Sequence, residues 1–301
     1  MTSTEKERRR IFNMRVLVIG ASGFIGSYLV KRFSVSHDVM GTCLSKPWKG
    51  LVHMDMCDEA SIAAVFSRFK PETVIIAAAV PNVDFCEQNN DVSYRVNVAG
   101  VRNVADACRK SGSKIVFFST DYIFDGKSGP YDENAAPTPI NYYGLNKLEG
   151  EGIVREVEKH LIVRTTIVYG WEQVSKNFAD KFIKSLRAGQ PFKVPTDQFG
   201  NPTYVENLTK AVQEMVEKDR QGIYNVSGSE YCNRYDFALR IAEIFNLDKK
   251  LVIGVTTAEL NQPAKRPLRA GFKVEKFRRE LSTKLLNIDE GLRLMKKAEN
   301  A

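Results

Sequence analysis

The apolar run Arg15–Ile19 leads directly into Gly20-Ala21-Ser22-Gly23-Phe24-Ile25-Gly26, and an apolar-faced helical stretch over residues 25–33 follows. A strand that meets three closely spaced glycines before a helix can turn tightly, bring backbone N–H groups close to a diphosphate and pack helix against strand. The amino end of the helix adds a partial positive charge. At the head of a β-α-β series, the turn reads as a dinucleotide-binding loop made by Gly20, Ser22, Gly23, Phe24, Ile25 and Gly26, rather than as a merely structural turn.

The alternation continues. A strand is predicted over 38–42 and a short one ending at Asp55, then a helix over 59–68 and a strand over 73–78. A helix over 92–110, a strand over 114–119, a helix over 143–158 and strands over 161–168 and 223–226 complete it. Such a series demands a parallel sheet with right-handed crossovers, so the expected class is α/β, a Rossmann-type doubly wound sheet. Residues 171–200 and 227–301 change character, with short helices and proline-marked loops, and read as a smaller C-terminal substrate lobe. The expected division is a polar tail over 1–13, a nucleotide-binding domain over 14–170 and 201–226, and the lobe over 171–200 and 227–301. The tail carries Arg8, Arg9 and Arg10 and lacks the apolar stretch of a secretory signal.

Composition removes several classes of function. Apolar runs are far shorter than the roughly 20 residues of a membrane helix. The formal charge of +8 is spread among acidic residues rather than gathered in a tract, which argues for a basic surface that attracts anionic nucleotide sugars and against nucleic acid as partner. Five cysteines without a CxxC pair point to a reducing cytoplasm. Three histidines without an HExxH pattern leave no expected metal site. Apolar positions on the helices over 92–110 and 143–158 would permit a homodimer, although such faces are usually core.

Cofactor preference is read at the end of the second strand. NAD-preferring proteins place a carboxylate there to bind the ribose hydroxyls. This chain has Cys43, followed by Ser45 and Lys46, a hydroxyl and an ammonium suited to a ribose phosphate. NADP is therefore expected, with NAD as the lesser alternative. Asp55 could accept a hydrogen bond from the adenine amino group, or serve the local turn as neighbouring Asp58 does in capping a helix.

Tyr143 and Lys147 stand four residues apart, one helical turn, on a common face. An ammonium beside a phenol stabilises the phenolate and makes the tyrosine a usable general acid. Thr120, a hydroxyl at the mouth of the fifth strand, could hydrogen-bond the same substrate oxygen. The catalytic set is thus Thr120, Tyr143 and Lys147.

Together these residues resemble the extended short-chain dehydrogenase/reductase family over nearly all of the chain from Arg15 onward. Within it, Ser119-Thr120-Asp121-Tyr122-Ile123-Phe124-Asp125-Gly126, Tyr143-Gly144-Leu145-Asn146-Lys147, Arg164-Thr165-Thr166-Ile167-Val168-Tyr169-Gly170, Asn177-Phe178 and Asp197-Gln198-Phe199-Gly200-Asn201-Pro202-Thr203 are similar to the dTDP-4-dehydrorhamnose reductase branch. The resemblance implies hydride transfer from NADPH to the 4-keto carbon of a deoxysugar nucleotide, dTDP-4-dehydrorhamnose giving dTDP-rhamnose. Tyr143 would protonate the alkoxide, Lys147 would also hold the nicotinamide ribose, and Thr120 would orient the carbonyl. It further implies cofactor contacts from Met56, Ala77, Ala78 and Ala79, and substrate contacts from Val83, Asp84, Tyr122, Phe124, Asn177, Gln198 and Arg266. Asn97 occupies a helix position where the family often has asparagine, with a helix-surface role as the alternative.

Thr120 is followed by Asp121-Tyr122 rather than by the acidic pair of sugar-nucleotide dehydratases, which favours simple ketone reduction. Near the C-terminus, Arg266-Pro267-Leu268-Arg269-Ala270 departs from the branch's Arg-Pro-x-Asn-Ser, so reduction is better supported than the identity of the sugar. Two other functions stay open: a cofactor-binding regulatory subunit like the methionine adenosyltransferase β subunit, similar to the same branch, and an epimerase or another sugar-nucleotide oxidoreductase.

Overall fold

A computed structural model of the chain describes residues 13–45, 50–172 and 177–300. Six strands come early: β1 (Arg15–Ile19), β2 (Asp38–Cys43), β3 (Val52–His53), β4 (Thr73–Ile76), β5 (Lys114–Thr120) and β6 (His160–Thr165). Three small ladders pair β7 (Val168–Tyr169) with β10 (Thr203–Tyr204), β8 (Phe192–Pro195) with β13 (Val252–Val255) and β9 (Phe199–Gly200) with β12 (Cys232–Asn233). The first six strands join β11 (Gly222–Asn225) in one seven-stranded sheet, ordered β11-β6-β5-β4-β1-β2-β3. The registered pairs from β3 to β5 are parallel. The order reverses on either side of β1 and β4, which makes the sheet doubly wound.

Backbone proximity divides the chain into two compact units. The first takes the described residues up to Ser119, with Leu145–Val163 and Val212–Ile223; the second takes Thr120–Gly144, Arg164–Ala211 and Tyr224 onward. Residues 120–144 fall in the second unit because they bond to the late segment there. Gly129 and Tyr131 donate backbone N–H groups to Arg269 and Gly271, and Phe124 packs edge-on to Phe272.

In the first unit, β1, β4 and β5 are buried on both faces and read as unbroken apolar runs. Helices α1 (Phe24–Phe33), α2 (Glu59–Phe69), α3 (Val83–Gln88), α4 (Asn90–Tyr94), α5 (Gly100–Ser111) and α6 (Tyr142–Arg155) follow the early strands. Leu17, Val74, Ile76, Val101, Val104, Ile115, Phe117 and Val154 share one core, and burying such a side chain is worth about 1.5–3 kcal/mol. The helix expected over 92–110 runs without a gap from Asn90 to Ser111, but between α4 and α5 it makes a π-turn, Arg95–Ala99, with Asn97 turned inward. β3 stops at His53 and β4 at Ile76, so Asp55 and Ala78 lie beyond their strands rather than in them.

In the second unit, Tyr169, Phe178, Phe182, Phe192 and Phe237 form an aromatic core joining β7 and β8 to helices α7 (Phe178–Arg187) and α9 (Arg234–Ile244). Helix α8 (Val205–Glu217), unforeseen in the sequence, precedes β11, and α10 (Glu275–Glu280) and α11 (Ile288–Lys297) come last. The strand expected over 161–168 ends at Thr165 because Ile167 takes a left-handed backbone (φ 43°), and β7 pairs with β10 instead. Among the described residues no helix is long and apolar enough to cross a membrane.

Candidate active site

The glycine turn has the shape that the sequence requires of it. Gly20 adopts φ +84°, and a Cβ there would lie 2.6 Å from the Ala78 nitrogen, so the turn is pressed against the loop leaving β4. A Cβ on Gly26 would meet the Gly20 carbonyl oxygen at 2.1 Å, so α1 is packed against its own approach. Gly23 begins α1 with no side-chain cap and no acid in the first turn. By contrast, α2 is capped by Asp58, α3 by Asn82, α7 by Asn177 and α9 by Asn233. An uncapped amino end beside glycines leaves N–H groups for an anion. The residues present therefore fit the diphosphate of a dinucleotide.

Ser45 is exposed two residues beyond the end of β2 at Cys43. Lys46 lies outside the described residues. Asp55 uses one carboxylate oxygen to accept from the Cys57 N–H at 2.8 Å, the local turn role, and Asp58 caps α2. Met56 is buried against Gly100, so its side chain packs the core and an expected cofactor contact is left to its backbone. Ala77, Ala78 and Ala79 follow β4 half-buried. Asn97 is 2% exposed, which corrects the surface alternative. Its amide takes both backbone groups of Val80, accepting from the N–H at 2.9 Å and donating to the C=O at 3.1 Å, and so pins the loop of Ala77–Ala79.

Tyr143 and Lys147 occupy the first two turns of α6. Lys147 is buried, with Nζ 3.9 Å from the centre of the Phe117 ring, and burial lowers its pKa to about 7 while the charge of Glu151, one turn on, opposes the fall. Glu151 is itself buried and pairs with Arg155 at 3.0 Å. Neither Glu151 nor Arg155 was singled out from the sequence; the successive i, i+4 spacings Lys147–Glu151–Arg155 were the available signal. Asn146 accepts from Ser93 at 2.6 Å, which ties α6 to α4.

In the second unit, Thr120 closes β5 and accepts from the Tyr122 N–H at 3.2 Å. The Tyr122 ring stands edge-on to Tyr143, 6.1 Å between centroids. Gly144 is confined there, since a Cβ would meet the Tyr122 carbonyl oxygen at 2.1 Å. Asp121, overlooked in the sequence as a working residue, accepts from Thr166 at 2.7 Å and from the Gly271 N–H at 3.2 Å, while burial pushes its carboxyl up.

The expected substrate residues divide. Tyr122 and Arg266 are half-buried and interact, the guanidinium acting on the phenol. Val83 and Asp84 begin α3 in the first unit. Phe124 is a correction: it is fully buried, stacked on Tyr131 at 4.1 Å, and supports the loop rather than meeting a substrate. Asn177 caps α7 and donates to the Gly170 carbonyl, a structural use of its amide. Gln198 is buried and donates to Thr257 at 3.1 Å.

A cleft of about 780 Å³ lies elsewhere in the first unit. Arg15, Thr73 and Lys114 line it, so it opens at the amino ends of β1, β4 and β5, away from the Gly20 turn. Two ion pairs lie along it, Lys114 with Asp219 at 2.8 Å and Arg15 with Glu72 at 3.7 Å, and none of the expected site residues lines it.

A parallel doubly wound sheet, an uncapped glycine turn and a tyrosine–lysine helix define a Rossmann-type protein of the extended short-chain reductase class. Residues 14–300 match the model of the RmlD substrate binding domain, and the chain belongs to that family. Spore coat polysaccharide biosynthesis protein SpsK of Bacillus subtilis (strain 168) is 34% identical, over 84% of this chain and 87% of its own. The crystal structure of dTDP-4-dehydrorhamnose reductase from Bacillus anthracis str. Ames in complex with NADP is 31% identical, with TM-score 0.88, covering 95% of this chain and 99% of that one. Methionine adenosyltransferase 2 subunit beta of Danio rerio is 30% identical over 87% of this chain and 84% of its own.

Proposed function

We propose that this protein uses NADPH to reduce the 4-keto group of a deoxysugar nucleotide, dTDP-4-dehydrorhamnose being the first substrate to try. The observation that carries the reading is α6, which presents Tyr143 and Lys147 one turn apart in a chain of this family. The cofactor supplies the hydride. Gly20, Gly23 and Gly26 would hold its diphosphate at the uncapped end of α1, and the loop of Ala77–Ala79, pinned by Asn97, would line its channel with small side chains. Lys147 in its charged form favours the phenolate of Tyr143 and so eases loss of the phenolic proton to the new alkoxide. Thr120 orients the carbonyl through its hydroxyl.

The likeness to methionine adenosyltransferase 2 subunit beta favours one other reading, a module that binds the cofactor without turning it over. One assay separates the two: NADPH absorbance followed with dTDP-4-dehydrorhamnose. Consumption by the intact chain, with Tyr143→Phe slowed by about 10²- to 10⁴-fold at unchanged NADPH affinity, supports the reductase. NADPH binding without consumption of it on any nucleotide-4-ketosugar rejects it.

A further inference from the structure

Helix α6 carries a polar group at every fourth position: Tyr143, Lys147, Glu151 and Arg155. Residues so spaced are neighbours on a helix surface, about 5–6 Å apart at Cβ, so the four form one ridge that begins at the proposed proton donor. The middle of the ridge is shut away from water. Lys147 lies against the Phe117 ring of β5 and Glu151 is fully buried, whereas Arg155 keeps 45% of its side chain exposed and donates to Glu151 at 3.0 Å. The residues beside them, Ile153 and Val154, are ordinary core. A buried ion pair is commonly no more stabilising than apolar side chains of the same volume, so stability gives little reason for a carboxylate here. Burial drives Lys147 toward its neutral form, and the charge of Glu151 opposes it. Charges that the neighbouring elements turn toward α6 are engaged elsewhere: Arg102 and Arg109 of α5 pair with Glu156 at 3.7 and 2.9 Å, and Tyr94 of α4 donates to Glu149.

We propose that Glu151 is a positioning residue whose carboxylate, steadied by Arg155, keeps Lys147 in its ammonium form one turn from Tyr143. The proposal rests on the reductase reading above and deepens it: Tyr143 gives up its proton only beside a charged lysine, and the ridge is what holds that charge in a dry place. Glu151 touches neither substrate nor cofactor and acts through Lys147.

The direct test is an NMR titration of the intact chain, carbon-labelled at the lysine Cε atoms and saturated with NADP, the Lys147 signal being the one that Lys147→Met removes. In Glu151→Gln that signal should titrate about one pH unit lower than in the natural chain, the scale of one nearby charge. Should Glu151→Gln fold poorly, Glu151→Met fills the same space without charge and should give the same displacement. In turnover, the ratio of natural to Glu151→Gln kcat should rise by about tenfold between pH 5 and pH 9, because a displacement of one unit is worth a factor of about ten once the lysine has lost its proton. A residue that merely supports the helix would lower kcat equally at both ends. An unmoved Lys147 signal overturns the proposal, as does a kcat ratio that is flat with pH. The two readings fail separately: a displaced Lys147 titration without NADPH consumption sinks the reductase and leaves the ridge standing, whereas an unmoved signal in a chain that reduces the sugar sinks the ridge alone.

Discussion

The first unit and the second prepare for ligands by opposite means. In the first, the important groups are backbone: Gly20 and Gly26 let main chain approach main chain, and Gly23 leaves the end of α1 open. In the second, they are side chains that reach across long stretches of sequence: Asp121 holds Thr166 and Gly271, Asn201 accepts from the Phe272 N–H at 2.8 Å, and Asn225 donates to the carbonyls of Tyr131 and Lys273. A backbone site is specified by which atoms are missing, a side-chain site by which partners fold back to meet it. The first tolerates no added carbon; the second tolerates no lost partner.

The largest effect should come from breaking the second unit at Asp121. Asp121→Ala leaves the buried Gly271 N–H and the Thr166 hydroxyl without their acceptor. That should cost about 2–4 kcal/mol in chemical denaturation, and Asp121→Asn, which keeps an acceptor, distinctly less. If Asp121→Ala is as stable as the natural chain, the side-chain side of the comparison fails. Gly26→Ala should rank next, at about 1–3 kcal/mol of strain, because a methyl group would sit on the Gly20 carbonyl. Its signature should differ: NADPH affinity, read by fluorescence titration, should fall at least about tenfold, since the turn itself has to shift.

The same contrast explains what could be read from the sequence. The glycine turn, the β-α-β order and the spacing from Tyr143 to Lys147 are local patterns, and all three have their counterparts in the structure. The work of Asp121 was invisible and the role of Asn97 stayed undecided because their partners are 45 and 17 positions away, and no periodicity marks such pairs. Phe124 was misassigned for a related reason: residues 121–123 make a 3-10 turn, so the side of the chain taken by Thr120 and Tyr122 does not carry over to Phe124, and only its packing on Tyr131 shows it inside. Lys46, on which the preference for NADP partly rests, lies outside the described residues.

Lys147 links the two kinds of site, being set one turn from Tyr143 by local spacing yet controlled by burial. Its pKa falls from an ordinary 10.5 to about 7, so between those values the folded chain binds fewer protons than the unfolded one. The sign follows: the stability cost of burying a charged Lys147 is fully present below about pH 7 and is relieved as pH rises toward 10.5. The natural chain should therefore gain on Lys147→Met by about 1.4 kcal/mol per pH unit between pH 7 and 10, measured by urea unfolding. Parallel profiles for the two would mean that the lysine titrates normally and that its environment is wetter than the Phe117 contact implies.

The smallest effect sharpens the backbone half of the comparison by reversing its sign. Gly152 lies inside α6, exposed, with nothing within 4 Å of where a Cβ would go. Here glycine has no approach to protect, and it only adds freedom to the unfolded chain. Gly152→Ala should raise stability by about 0.5–1 kcal/mol, seen as a higher urea midpoint, while turnover and NADPH affinity stay unchanged. A loss of stability instead would mean that adding a carbon to α6 is costly even in open space, and the argument from Gly26 would then no longer depend on the contact with Gly20.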